Sequence, residues 1–364
     1  MAKRVLDIPS RYSRLPGRKD GGIGFTEVLF DDYLQRKVIL KRISDVSSTR
    51  RLLDEINALQ QAKSDYVVQI YDILYKEQEG RESLPYGIIE EYLDGVDLTN
   101  FNTKDHTDRE IVLTFYQIAQ GLADLHDSGI IHRDIKPNNI KYDNEGILKI
   151  FDFNLAKSGQ APFSTKGLIG TPGFMAPELY DTEPNITFKT DTYAFGILTF
   201  CLLSGSLPPF SGKIDERPRQ SLDNESISNL RALPKTIVEI LDACVELDSE
   251  KRPDMADVVY ILRKEISRDT HRGLMISGSY EHELSKDKRD VGVKRKNSND
   301  GIGIEYKGTY FRVSSVSGDV FVNNSPANVG QELVGSYVII LGHKNIKWKR
   351  AFITFDVTNE DYVI

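Results

Sequence analysis

The chain has 364 residues, 40% hydrophobic and 28% charged, and its net charge of −7 gives it no overall electrostatic bias toward nucleic acid. That length predicts two or three domains with a sizeable core. Two cysteines, Cys201 and Cys244, argue against a disulfide framework; no apolar run reaches the ~18 residues of a membrane span, and no apolar signal region follows Met1-Ala2-Lys3-Arg4, so a cytoplasmic protein is expected.

Residues 1–15 are basic and irregular and read as a flexible lead-in, with residues 1–11 outside any domain. Gly21-Gly22-Ile23-Gly24 follows. Glycines let backbone approach phosphates closely, and consecutive N–H groups can cradle them; a tight hairpin needs the same residues. Val28-Leu29-Phe30 predicts a strand, Asp31-Asp32-Tyr33 a polar turn, and Val38-Ile39-Leu40-Lys41 the end of a second strand. Arg50–Ala62 predicts a helix with Leu52, Leu53, Ile56 and Leu59 as its apolar stripe and Glu55 within it. Tyr86–Leu93 reads as a strand running into a connector, and Asp94-Gly95 turns the chain. Asp108–Ser128 predicts an amphipathic helix, its apolar residues from Ile111 to Leu125 spaced three or four apart, ended by Gly129.

Ile130-Ile131 precedes, and Ile140 with Ile147–Ile150 follows, the stretch His132-Arg133-Asp134-Ile135-Lys136-Pro137-Asn138-Asn139. The pattern suits a rigid loop held at both ends by short buried strands. The loop carries Asp134 and Asn139, and Asp152 comes thirteen residues after Asn139. Two carboxylates and an amide can hold a divalent metal and orient a hydroxyl for attack on a phosphate; Mg²⁺ usually takes one or two carboxylates plus substrate phosphates. Residues 155–169 are small and polar and include Ser158, Ser164 and Thr165. Gly170–Glu178 comes next. Thr190–Gly196 opens a helix that is apolar nearly all round and so belongs in a core, with Asp191 expected to cap its start. Lys251-Arg252-Pro253 leads into a final helix over Met255–Ile266.

In order and spacing these motifs resemble the protein-kinase family over roughly residues 12–268, and within it the eukaryotic-like (Hanks-type) serine/threonine kinases. The H-R-D-x-x-x-x-N loop and the D-F-G metal site are signatures of that family. The resemblance implies an α+β, two-lobed fold, with a β-rich lobe over 12–93 and a helical lobe over 94–268. It implies transfer of the ATP γ-phosphate, with Mg²⁺ or Mn²⁺, to serine or threonine hydroxyls of a protein substrate. Gly22, Gly24 and Val28 would cover the nucleotide, and Lys41, paired with Glu55, would hold its α- and β-phosphates. The Glu91 carbonyl and the Leu93 N–H would bind adenine, and Asp97 would face the ribose. Glu90 falls at the position guarding the back of the adenine pocket, where a carboxylate is unusual. Asp134 would orient the substrate hydroxyl and accept its proton, Lys136 would neutralise the transferring phosphate, and Asn139 and Asp152 would hold metal. Glu178 would pair with Arg252, and Asp191 would hold the catalytic-loop backbone. Phosphate on Ser164 or Thr165 would pair with Arg133 and order the loop. Two features depart from the family: Asp152-Phe153-Asn154 stands for Asp-Phe-Gly, and Ile23 and Thr26 occupy expected glycine positions. They keep open a pseudokinase or nucleotide-binding scaffold. A small-molecule kinase is a third reading, opposed by Ala176-Pro177-Glu178 and Arg252.

Residues 269–300 change character: Ser267–Arg272 and Ser285–Asn299 are polar, and the basic run Lys294-Arg295-Lys296 is diluted by acidic neighbours, so a solvated linker is expected rather than a nucleic-acid tail. From 301 to 364 the pattern has period two, with strands expected at Tyr310–Val313, Val320–Asn323, Tyr337–Leu341 and Ala351–Val357 and turns at Gly318-Asp319 and Gly342-His343. This is a small all-β accessory domain that would bind a protein partner or the kinase domain itself. A forkhead-associated phosphopeptide reader is one reading, although the usual Ser-His and Asn pattern of that family is missing. A docking module or an autoinhibitory flap is another.

Overall fold

Leu29, Val38, Leu40, Ile88 and Ile89 are fully buried, and the strands that carry them share one antiparallel sheet. The computed structural model describes residues 8–20, 24–43, 49–78, 81–153, 157–158, 170–209, 226–345 and 350–358. Strands β1 (Tyr12–Asp20), β2 (Gly24–Asp31), β3 (Arg36–Ile43), β4 (Ile70–Gln78) and β5 (Arg81–Glu91) lie in the order β1-β2-β3-β5-β4. Lys41 on β3 stands opposite Thr26 on one side and Ile88 on the other, so it sits inside the sheet. Helix α1 (Thr49–Gln61) falls between β3 and β4 and buries Ile56, Ala58 and Leu59.

The lead-in reading of residues 12–15 is corrected here. Tyr12 is buried, and β1 pairs with β2 from Tyr12 opposite Asp31 onward. Arg11 fixes that end of the strand: its Nε and Nη2 donate to the two carboxylate oxygens of Asp31 at 2.9 and 2.6 Å. The polar turn at Asp31 is therefore an anchor for the chain start, with Asp31 only 1% exposed.

Helix α2 (Asp108–Asp127) begins with a capping box. Thr107 accepts from the Glu110 N–H, and the Glu110 carboxylate accepts from the Thr107 N–H. Gly129 follows the helix at φ +76°, a conformation glycine adopts without penalty. Four short strands then frame the loop of interest: β6 (Ile130–Ile131) pairs with β9 (Lys157–Ser158), and β7 (Ile140–Tyr142) pairs with β8 (Leu148–Ile150). Helix α3 (Phe188–Ser204) is buried along nearly its whole length. Its cap is Thr187, whose hydroxyl accepts from the Lys189 N–H. Asp191 lies further in, which corrects its expected capping role and frees its carboxylate for other work. Helix α4 (Lys235–Cys244) and helix α5 (Met255–Ile266), the latter as far as Leu262, complete this part. α3 comes close to α4 at Gly196, where a Cβ would stand 2.5 Å from Val245 Cγ1 and 2.8 Å from Cys244 Cβ. Among the described residues no helix is long and apolar enough to cross a membrane.

Residues 263–364 form a second compact unit. Its strands are β10 (Gly273–Ser277), β11 (Tyr280–Leu284), β12 (Asp290–Lys294), β13 (Gly301–Tyr306), β14 (Phe311–Ser317), β15 (Val320–Val322), β16 (Ser325–Pro326), β17 (Glu332–Leu333), β18 (Tyr337–Leu341) and β19 (Ala351–Val357). They make a six-stranded sheet, β11-β10-β19-β18-β15-β16, and a four-stranded sheet, β12-β13-β14-β17. Met275, Ile339, Ile353 and Phe355 from the first sheet meet Ile302, Ile304, Phe311 and Val313 from the second in one core. The linker expected over 269–300 is thus corrected. Met275 stands opposite Phe355, and Val291 opposite Ile304. Strands β10 to β12 show mostly polar outward residues, which in sequence look like a solvated linker.

Two outcomes follow from these contacts. The hydrogen bond from Arg11 outweighs burial and holds the Asp31 carboxyl at about 2, below its ordinary 3.8. A depressed folded value means that this tie is fully in place above pH ~4 and is lost as pH falls through about 2. Asp31→Asn should therefore lower the amide protection factors of Tyr12 and Arg14 at neutral pH, each corrected for the intrinsic exchange rate, toward those expected of the wild type near pH 2. Native-state limited proteolysis should spare residues 273–294; cleavage there would restore the linker.

Candidate active site

The His132–Asn139 loop is held from α3. The Asp191 Oδ2 accepts the His132 N–H, and its Oδ1 accepts the Arg133 N–H, both at 2.8 Å. His126 Nε2 lies 3.1 Å from the same Oδ2. Arg133 stands at φ +71°, a left-handed conformation that costs about 1–3 kcal/mol for a residue with a Cβ and persists only where the surroundings impose it. Two hydrogen bonds to a fully buried carboxylate impose it here. Burial pushes the Asp191 carboxyl up, but His126 and the Arg133 N–H hold it below the ordinary value. Burial lowers His132, which favours its neutral form.

Asp134 is the next link. Lys136 Nζ donates to its Oδ2 at 2.7 Å and to Thr171 Oγ1 at 2.8 Å, while the Thr171 hydroxyl donates to Asp134 Oδ1 at 2.6 Å. Asn139 Nδ2 reaches the Asp134 carbonyl at 2.9 Å and its Oδ2 at 3.0 Å. Both carboxylate oxygens are therefore oriented. Burial works to raise the Asp134 carboxyl, and the hydrogen bonds from Lys136 and Thr171 outweigh it, so the net shift is downward.

Asp152 follows β8 and takes φ +69°. Phe153 beside it is fully buried with its ring edge-on to His132 at 4.8 Å, and His132 Nε2 lies 3.2 Å from the Phe151 carbonyl. The Phe151 N–H donates to the Asn139 carbonyl at 3.0 Å. These contacts tie the Asp152 segment to the Asp134 loop. Lys41 Nζ lies 3.5 Å from Asp152 Oδ1 and 3.8 Å from Glu90 Oε1, so strand β3 delivers its cation to the same place.

The connector after β5 is equally tied down. Glu91 accepts from the Gln69 N–H at 3.2 Å and pairs with Lys149 at 3.4 Å. The Leu93 carbonyl accepts from Lys141 Nζ at 2.6 Å. Asp97 Oδ1 caps the short turn at Leu98 by accepting from the Thr99 N–H at 2.9 Å. Val28 lies on β2 opposite Ile39, and Gly24 opposite Ile43. Farther away, Arg252 holds Glu178 through two parallel bonds of 2.7 and 2.9 Å. Gly22, Asn154, Ser164 and Thr165 lie outside the described residues, as does the side chain of Glu55.

A family model described as "Protein kinase domain" matches residues 25–261. The chain belongs to the protein kinase family. Among similar proteins, Myosin light chain kinase 3 of Rattus norvegicus is 34% identical over 187 residues, covering 50% of this chain and 22% of that protein. Ovarian-specific serine/threonine-protein kinase Lok of Drosophila melanogaster is 28% identical over 261 residues, covering 66% and 53%. Probable serine/threonine-protein kinase pknA2 of Bifidobacterium longum is 31% identical over 213 residues, covering 55% and 27%. The chain spans about half the length of these relatives or less.

The kinase-family site contains three groups whose parts were not read from sequence. Thr171 lies in the Gly170–Glu178 segment, and its hydroxyl bonds both Asp134 and Lys136. Lys141 occupies the connector carbonyl. Glu90 shares Lys41 with Asp152. The first two depend on pairs separated by 37 and 48 residues, which no local pattern reports.

Asp191→Asn places an N–H donor against a backbone N–H. It should cost about 1–3 kcal/mol, the usual cost of an unsatisfied buried group. Faster amide exchange at His132 and Arg133, read by NMR or mass spectrometry, checks that Asp191 is what holds the loop.

Proposed function

We propose that the chain transfers the γ-phosphate of ATP to serine and threonine hydroxyls of proteins. The carrying observation is the Asp134 network, in which Lys136, Thr171 and Asn139 orient one carboxylate. Its lowered pKa keeps Asp134 ionised at neutral pH, as a proton acceptor requires. Asp134 takes a hydrogen bond from the acceptor hydroxyl and receives its proton. Lys136, 2.7 Å from that carboxylate, offsets charge on the transferring phosphate. Lys41 places its ammonium against the nucleotide phosphates.

The donor set suits Mg²⁺ or Mn²⁺. Asp152 offers a carboxylate, and because the Asn139 amide nitrogen is committed to Asp134, its oxygen is the atom left for a cation. Hard cations of this kind take one or two such groups and complete their shell with substrate phosphates and water. A bound cation would offset the negative charge of the phosphate groups.

Arg133 supports regulation by autophosphorylation. It is 5% exposed, and among the described residues its Nε and Nη2 have no hydrogen-bond partner. A phosphate on Ser164 or Thr165 would supply acceptors. The two free thiols, Cys201 and Cys244, support a cytoplasmic setting.

Asp134→Ala should lower transfer of labelled phosphate from ATP by at least about a thousandfold, consistent with loss of a general base, and should leave ATP binding within a factor of about three; near wild-type turnover would overturn the assignment. Phosphosite mapping of active protein should find modification at Ser164 or Thr165, and replacing both with alanine should lower activity. An unmodified segment in fully active enzyme would remove the switch.

A further inference from the structure

We propose that Glu90 is a positioning residue that holds Lys41 from within the sheet, so that strand register sets where the phosphate-binding lysine stands. The proposal rests on reading Lys41 as that lysine. It adds a residue of this chain to the site, because a carboxylate at the Glu90 position is unusual in the family.

The register carries the idea. Lys41 stands opposite Ile88 across the β3–β5 pair, and Glu90 lies two residues further along β5, opposite Ile39. Residues two apart on a strand share a face, so Lys41 and Glu90 are diagonal neighbours on one side of the sheet. The contact is made: Nζ and Oε1 are 3.8 Å apart. Glu90 is also paired on its other flank, opposite Ile70 of β4. Its backbone is therefore fixed by strands on both sides. A partner carried by a helix moves when that helix moves, whereas a partner carried by a central strand does not.

Electrostatics adds a reason for the residue to be acidic. Glu90 is 4% exposed, and a charge taken that far from water is costly unless an opposite charge accompanies it. Among the described residues, Lys41 has two carboxylates in reach, Glu90 at 3.8 Å and Asp152 at 3.5 Å. With two carboxylates in reach, the ammonium's attraction is divided between Glu90 and Asp152. Asp152 then keeps more of its charge for a cation, and Lys41 stays where two strands put it.

The test is a double-mutant cycle on nucleotide affinity, measured by calorimetric titration of the full chain with ATP in Mg²⁺. Glu90→Gln keeps shape and removes charge. It should weaken ATP binding by about tenfold, equal to about 1.4 kcal/mol of coupling. The same change made on top of Lys41→Met should have no effect, since the residue it positions is gone. Glu90→Asp should recover part of the loss. An equal loss in both backgrounds would show a merely structural role and overturn the proposal, as would unchanged affinity in Glu90→Gln. Should Glu90→Gln fail to fold, Glu90→Asp carries the same cycle. Wild-type protein that transfers no phosphate but shows the coupling would remove the catalytic reading alone. Wild-type protein that binds no ATP would overturn both.

Discussion

A buried carboxylate in α3 determines the geometry of the site. Asp191 accepts two successive backbone N–H groups, those of His132 and Arg133, and so stabilises a left-handed residue that would otherwise relax. The residues that follow, Asp134, Lys136 and Asn139, inherit their positions from that bend. His126 on α2 touches the same carboxylate, which joins two helices and the loop through one ionised group. A carboxylate is suited to this because its two oxygens can serve two donors at once. An amide has one acceptor, and an apolar residue has none.

The strain in the site is paired. Arg133 and Asp152 both stand in the left-handed region, one in each segment that brings a carboxylate to the centre. His132 connects them, with its backbone on Asp191 and its ring between the Phe151 carbonyl and the Phe153 ring. Strain of this kind is retained where neighbouring structure over-determines it. The pair Arg252 and Glu178 plays a comparable part farther out. Arg252 also donates to the carbonyls of Glu246, Lys189 and Leu247. A lysine could not make that planar set of bonds.

Much of the site was legible because its parts are local in sequence. The spacing of Asp134, Lys136 and Asn139 lies within a single loop, and Asp152 follows one short hairpin, β7–β8, later. The strand ending at Lys41 was legible from its apolar run. What stayed hidden depends on distance or on irregularity. Thr171 reaches Asp134 only after the chain folds back. β1 was obscured because its pairing with β2 shifts register between Arg14 and Arg18, around Pro16-Gly17, and its basic residues mask the alternation. In β11 only Leu284 is fully buried, too little apolar signal to betray a strand. The link between Glu90 and Lys41 is a matter of strand register, which sequence does not state.

The bond from Lys141 to the Leu93 carbonyl bears on small-molecule selectivity. A bare connector carbonyl would accept a hydrogen bond from any donor bound beside it. Here that carbonyl already accepts from an ammonium at 2.6 Å, and a hydrogen bond involving a charged group contributes about 1.5–3 kcal/mol. A compound that donates at Leu93 must first displace Lys141 and leave its charge half-buried. Scaffolds that instead accept from the backbone N–H, or that present an anionic group toward Lys141, would face no such competition.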